Sequence, residues 1–139
     1  MKNLLIGSLS LAAILAFSGC GSEPKSLEEL QKLSKDELKK MNKACKAVIS
    51  PATSKLGENA SEIDLEKADA SDSKLNKDRE KIANDILQAR GLQPKTYGLM
   101  GTPLSMVVVD FTNEEVSKFG NSDFAEYVEC ARIRKALSK

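Results

Sequence analysis

The first seventeen residues constrain what the rest of the chain can fold into. Met1-Lys2-Asn3 give a short positive start, and Leu4 to Phe17 (LLIGSLSLAAILAF) then run fourteen residues without a charge. A run that is apolar on every face cannot form the one-sided helix of a soluble domain's surface. It also falls short of the roughly twenty residues needed to cross a bilayer core. A positive start, a short apolar stretch and the small residues Ser18 and Gly19 describe a secretory signal that is removed. The fold is therefore expected from the 120 residues that follow residue 19. That is enough for one domain with a real core and too few for two.

The end of the segment is more specific. Phe17-Ser18-Gly19-Cys20 resembles the lipobox of bacterial lipoproteins, in which a cysteine follows two small residues and an aliphatic one. The resemblance implies lipid transfer to the Cys20 sulfur, cleavage after Gly19 and acylation of the new amino group by a fatty acid such as palmitate. Phe17 departs from the leucine the family usually carries there. Two or three acyl chains make a lasting membrane anchor, because each buried methylene contributes about 0.8 kcal/mol and one chain alone holds only reversibly. Gly21 stands where an aspartate resembles an inner-membrane retention signal, so the resemblance points to the outer membrane, with the domain facing the periplasm. Residues 20–25 then form a lipidated tether that reaches under about 20 Å at about 3.5 Å per residue.

Beyond the signal the charges balance. The segment holds one lysine and no acid, so 20 basic residues face 20 acids in the remainder. A nucleic-acid binder would carry a basic excess, and no nucleic-acid partner is expected. Residues 20–56 carry eight lysines against five acids, and residues 57–90 nine acids against six basic residues. Aromatics are scarce, tryptophan is absent, and Ala, Leu, Lys, Glu and Ser dominate. This composition favours helices over an all-β sandwich.

With Cys20 spent on lipid, Cys45 and Cys130 remain. Export places them in an oxidising compartment, and two thiols allow one intramolecular pairing. A Cys45–Cys130 disulfide is predicted, and closing so long a loop is worth roughly 4.5 kcal/mol by the chain-entropy argument.

The domain, residues 26–139, reads as a small, mostly α helical bundle with this one disulfide. Ser26 with Glu29, Ser34 with Glu37 and Thr112 with Glu115 are capping-box pairs. They predict a short helix, a bend near Ser34 and a longer helix to Ile49, whose buried stripe is Leu38, Met41, Cys45 and Val48. Residues 50–72 have few large apolar side chains and many acids, and read as an acidic loop, potentially mobile, with one weak helical turn. Asp64, Glu66, Asp69 and Asp72 suggest a calcium loop only superficially, because the EF-hand spacing and its glycine are missing. Residues 73–90 predict a helix with Leu75, Ile82 and Ile86 on one face, ended by Gly91. Pro94 is read as the start of a short helix that packs Tyr97, Leu99 and Met100. Val107-Val108-Val109 admit a strand near 105–111, which would make the fold α+β. A lone strand has no partner, and Thr102-Pro103 reads as a helix start, so the helical reading leads. Two further helices are expected, from Thr112 to Gly120 and from about Ser122 to Leu137.

No catalytic constellation emerges. Histidine is absent, which removes the usual base near neutral pH and the commonest metal ligand. GxSxG, HExxH and phosphate-cradling glycine loops are missing. Ser34-Lys35 and Ser117-Lys118 are adjacent pairs, and neighbours on a helix do not face one another. No enzyme activity, metal or cofactor is expected. The surface offers one pattern. Lys32, Lys35, Lys39, Lys43 and Lys46 share a helix face opposite Leu38, Met41 and Cys45, and the disulfide would bring Arg132, Arg134 and Lys135 near Lys43 and Lys46. Such a stripe is either the solvated side of an amphipathic helix or a basic patch for anionic head groups or an acidic partner. The leading expectation is a non-enzymatic binding or accessory module that meets another envelope protein. The alternative is a small-molecule or lipid carrier in the periplasm, with a pocket near Met100, Met106 and Phe111.

Overall fold

A computed structural model describes residues 23–98 and 100–138. Seven helices are present among them: α1 Leu27–Gln31, α2 Lys35–Ile49, α3 Pro51–Ser54, α4 Glu62–Ala89, α5 Leu104–Val108, α6 Asn113–Phe119 and α7 Ser122–Leu137. No described residue lies in a named strand. The valine run is helical, as α5, and the α+β alternative is set aside. Among the described residues the one β-like contact is an isolated bridge between Tyr97 and Thr102.

The caps set the boundaries. Ser26 and Ser34 accept from the backbone N–H of Glu29 and Glu37, each at 3.2 Å, so the bend at Ser34 separates α1 from α2. At Thr112 both halves of the box form: Thr112 Oγ1 accepts from Glu115 N, and Glu115 Oε1 accepts from Thr112 N at 3.0 Å. Gly91 has φ +79°, and the bonds Gly91 N→Gln88 O and Leu92 N→Leu87 O, both 2.9 Å, close α4 as a Schellman turn. Gly120 is required for space rather than dihedral freedom, because a Cβ there would meet Val116 O at 2.7 Å and the Phe124 ring at 2.8 Å.

Two expectations fail. Residues 50–72 are not an acidic loop with one weak turn. Pro51 opens α3, and α4 begins at Glu62, so the acidic stretch forms the first part of a 28-residue helix. Ser61 caps it through Asp64 N at 3.2 Å, and Glu62 and Asp64 occupy its first turn, where carboxylates suit the helix dipole. No apolar stripe announces this part because residues 61–67 are exposed, including Ile63 and Leu65. Its attachment is polar: the Asp72 carboxylate accepts from Ala52 N at 2.9 Å and Thr53 N at 3.0 Å, capping α3. Pro94 does not start a helix either. Asn84 holds the loop instead, pairing with both the N–H and the C=O of Lys95 and accepting from Tyr97 Oη at 2.8 Å. Met100 is left exposed, and Leu99 lies outside the described residues.

The core lies in two parts joined by α7. The larger gathers Ala83, Ile86 and Leu87 of α4, Leu104, Val107 and Val108 of α5, Phe111, Val116 of α6, and Phe124, Tyr127, Val128 and Ala131 of α7. The smaller gathers Leu30 of α1, Leu38, Met41 and Cys45 of α2, and Cys130, Ile133 and Ala136 of α7. Nine of the sixteen α7 residues are buried, and they lie on every side of the helix, as expected of a central helix rather than a surface one. α2 runs antiparallel to α7. Its last residues, Val48 and Ile49, meet Asp123 through Arg79, Cys45 is bonded to Cys130, and Leu38 packs in the cluster that holds Ile133 and Ala136.

Candidate functional site

Cys20 lies outside the described residues. The described chain begins at Glu23, and its first residues do not behave as a free tether. Pro24 is buried, and its carbonyl accepts from Asn113 Nδ2 at 2.9 Å. The Lys25 N–H donates to Glu129 Oε1 at 3.2 Å, and the Lys25 carbonyl accepts from Arg132 Nη1 at 2.9 Å. Arg132 also donates to Asn113 Oδ1 at 2.7 Å and to the Phe111 carbonyl at 2.6 Å. Asn113, Glu129 and Arg132 thus clasp the backbone of residues 24–25 against α6 and α7.

Arg132 is therefore misplaced in the expected basic surface. Only 4% of it is exposed, and its guanidinium is spent on the clasp. Burial lowers its pKa, partly opposed by Glu129 and Glu29. Glu129 is 1% exposed, and its Oε2 has no hydrogen-bond partner. Burial raises its carboxyl to a pKa of about 7, against the pull of the Lys25 N–H, the Lys25 charge and Arg132, and Glu29 adds to the rise. Sequence reading missed the clasp because an acid and a base three apart on a helix usually mark solvated surface.

The other predicted cations are exposed. Lys32, Lys35, Lys39, Lys43 and Lys46 stand out from α1–α2 while Leu38, Met41 and Cys45 are buried. Arg134 and Lys135 are exposed too, and they line a groove with Met106, Val109, Ala131 and Ser138 on the α5 side of α7. None of these seven has an ion-pair partner among the described residues, where the ion pairs are Arg79–Asp123 and Arg90–Glu115. The antiparallel register puts Arg134 and Lys135 level with the first half of α2, toward Lys39 rather than Lys46.

Arg79 is the second buried guanidinium and was also missed. It is 1% exposed. Nε and Nη2 donate to the two Asp123 oxygens at 2.9 and 2.8 Å, while Nη1 and Nη2 donate to the Ile49 and Val48 carbonyls. It also lies 4.6 Å from the Tyr127 ring centroid. It therefore ties the C-terminus of α2 to the N-terminus of α7. Arg90 pairs with Glu115 at the rim of the core and lies 5.3 Å from the Phe111 ring centroid. The Arg90 hydrogen bonds hold Glu115 down at a pKa of about 2, against partial burial.

The predicted disulfide forms. Cys45 and Cys130 are bonded with Cα atoms 5.7 Å apart, within the span such bridges allow, and both are buried. The structure does not gather Met100, Met106 and Phe111 around one cavity: Met100 and Met106 are 98% and 65% exposed, and Phe111 is in the core. Among the described residues no three His, Cys, Asp or Glu side chains are grouped to hold a metal ion. Asp72 serves the α3 cap, where burial raises its pKa but hydrogen bonds from Thr53 and Ala52 bring it below the ordinary value.

Comparison with protein families, curated proteins and solved structures finds no match to this chain.

Proposed function

We propose that this chain is a lipid-anchored protein of the bacterial cell envelope, whose helical domain is a non-enzymatic binding or accessory module for another envelope protein. The carrying observation is the set of seven exposed cations, Lys32, Lys35, Lys39, Lys43, Lys46, Arg134 and Lys135, that form no ion pair among the described residues. The buried arginines, in contrast, are committed to holding helices and the N-terminal strap in place. A partner with an acidic surface would pair with these cations and gain from their steering.

Two features support the envelope setting. The segment up to Cys20 resembles a lipoprotein signal. The two cysteines left over are joined inside the core, as suits an oxidising compartment. Intact mass of membrane-extracted protein, before and after reduction and alkylation, tests the anchor and the bridge together. The expected mass is residues 20–139 plus lipid, with two alkylations that appear only on reduction. An unlipidated mass would refute the anchor. Crosslinking in intact envelopes then tests the partner: the domain should capture a defined protein, and charge reversal at Lys32, Lys35 and Lys39 should abolish the capture.

A further inference from the structure

The strap runs in a definite direction. Glu23 and Pro24 line a groove with Val116, Gly120, Asn121, Ser122 and Ala125, at the junction of α6 and α7. Lys25 is held farther along α7, by Glu129 and Arg132. Leu30 packs farther still, in the cluster of Ile133 and Ala136. From Glu23 to Leu30 the chain therefore follows α7 from its first turn toward its last. Cys20 is three residues before Glu23, so it lies within about 11 Å of the Glu23 Cα however the intervening residues run. The opposite end of α7 is farther off. Ser122 and Lys135 are separated by about 20 Å at 1.5 Å per residue. Because α2 is antiparallel to α7, Lys35 and Lys39 belong to that same distant end, as does Lys32 at the end of α1.

We infer that the corner between α6 and α7, which carries Ser117, Lys118, Asn121 and Ser122, faces the lipid surface, and that the end carrying Lys32, Lys35, Lys39, Arg134 and Lys135 is presented away from it to the acidic partner. This rests on the reading of Cys20 as the lipid anchor. The chemistry of the corner suits a head-group layer. Ser117, Lys118, Asn121 and Ser122 are exposed and polar, and the Lys118 ammonium lies 5.5 Å from the centroid of the half-buried Phe119 ring. Lysine and an aromatic ring together suit the boundary between water and lipid. The clasp makes the orientation a property of the fold, since release of Pro24 and Lys25 would lengthen the free tether.

The chain has no tryptophan, so each single tryptophan introduced is the only indole. Mature lipidated protein carrying Ser117→Trp, Lys39→Trp or Ser138→Trp would be placed in vesicles of phosphatidylethanolamine and phosphatidylglycerol bearing dansyl head groups. Energy transfer from the indole reads its distance from the surface. The inference expects the strongest transfer from position 117 and a loss of transfer at 39 and 138. Lys118→Trp is a second reporter of the same corner should Ser117→Trp fold poorly. Equal transfer from all positions, or the reverse order, overturns the orientation. Protein that carries no lipid, or does not float with the vesicles, sinks the anchor reading instead.

Discussion

At one corner Arg79 meets Asp123 through two parallel charge-assisted bonds, and its remaining donors cap the carbonyls of Val48 and Ile49. At the other Arg132, nearly as well buried, bonds to three neutral oxygens, those of Lys25, Asn113 and Phe111. Its nearby acid, Glu129, gives one oxygen to the strap and leaves the other without a partner. The first corner is a compensated ion pair whose acid is partly hydrated, with the Asp123 side chain 33% exposed. The second is a clasp in which acid and base are both pushed toward neutrality by burial. The first arrangement locks helices together. The second holds the N-terminal segment against α6 and α7, and its buried acid should make stability depend on pH near neutrality.

The largest expected effect is at the locked corner. Arg79→Met strands Asp123 and two helix-end carbonyls and should cost about 3–5 kcal/mol, the usual loss when one partner of a buried pair is removed. Urea unfolding of the purified domain measures it, and a loss below about 1 kcal/mol would put this pair with ordinary surface bridges. Reduction of Cys45–Cys130 should cost about 2–4 kcal/mol, below the chain-entropy figure because real bridges usually deliver less than it, seen as a lower urea midpoint in the presence of reductant. An unchanged midpoint would mean that packing alone holds α2 on α7.

Glu129→Gln sharpens the comparison. Glu129 titrates near 7 in the folded protein against an ordinary value of 4.5, so the folded state binds the proton more tightly than the unfolded one. Its contribution is fully present below about pH 4.5 and is lost as pH rises through about 7. The glutamine variant keeps an acceptor for Lys25 N–H and should lack this dependence. It should be more stable than the parent by about 1–3 kcal/mol at about pH 8 and similar to it at about pH 4.5. A parent stability that rises between those two values, with no difference in the variant, would contradict the buried acid. Glu115→Gln should remove a pH dependence of the opposite sign and smaller scale. Glu115 titrates at about 2 in the folded protein, so its contribution is present above about 4.5 and is lost as pH falls toward 2. The pair with Arg90 is partly solvated, so the effect at neutral pH should be about 0.5–1 kcal/mol.

These two corners also separate what was legible in the chain from what was not. Ser26, Ser34, Thr112 and Gly91 act on neighbours a few residues away, and their caps were readable because both partners are in view in the sequence. The Leu38–Met41–Cys45 stripe was readable because burial on one face leaves a period. The first part of α4 was not, because it is held by Asp72 capping α3 rather than by an apolar face, and an acid with few large neighbours looks like loop. Arg79 and Asp123 are 44 positions apart, and Lys25 and Arg132 are 107 apart. Nothing local distinguishes these charges from solvated ones.

The sequence by itself determined most of the helices, the caps at several of their ends and the balance of charge, since each follows from local spacing or from a count. Only the tertiary structure decided which cations are surface and which are structure. A guanidinium among lysines on an amphipathic helix has the same local signature in both cases, and its role depends on the oxygens that distant segments bring within 3 Å of it.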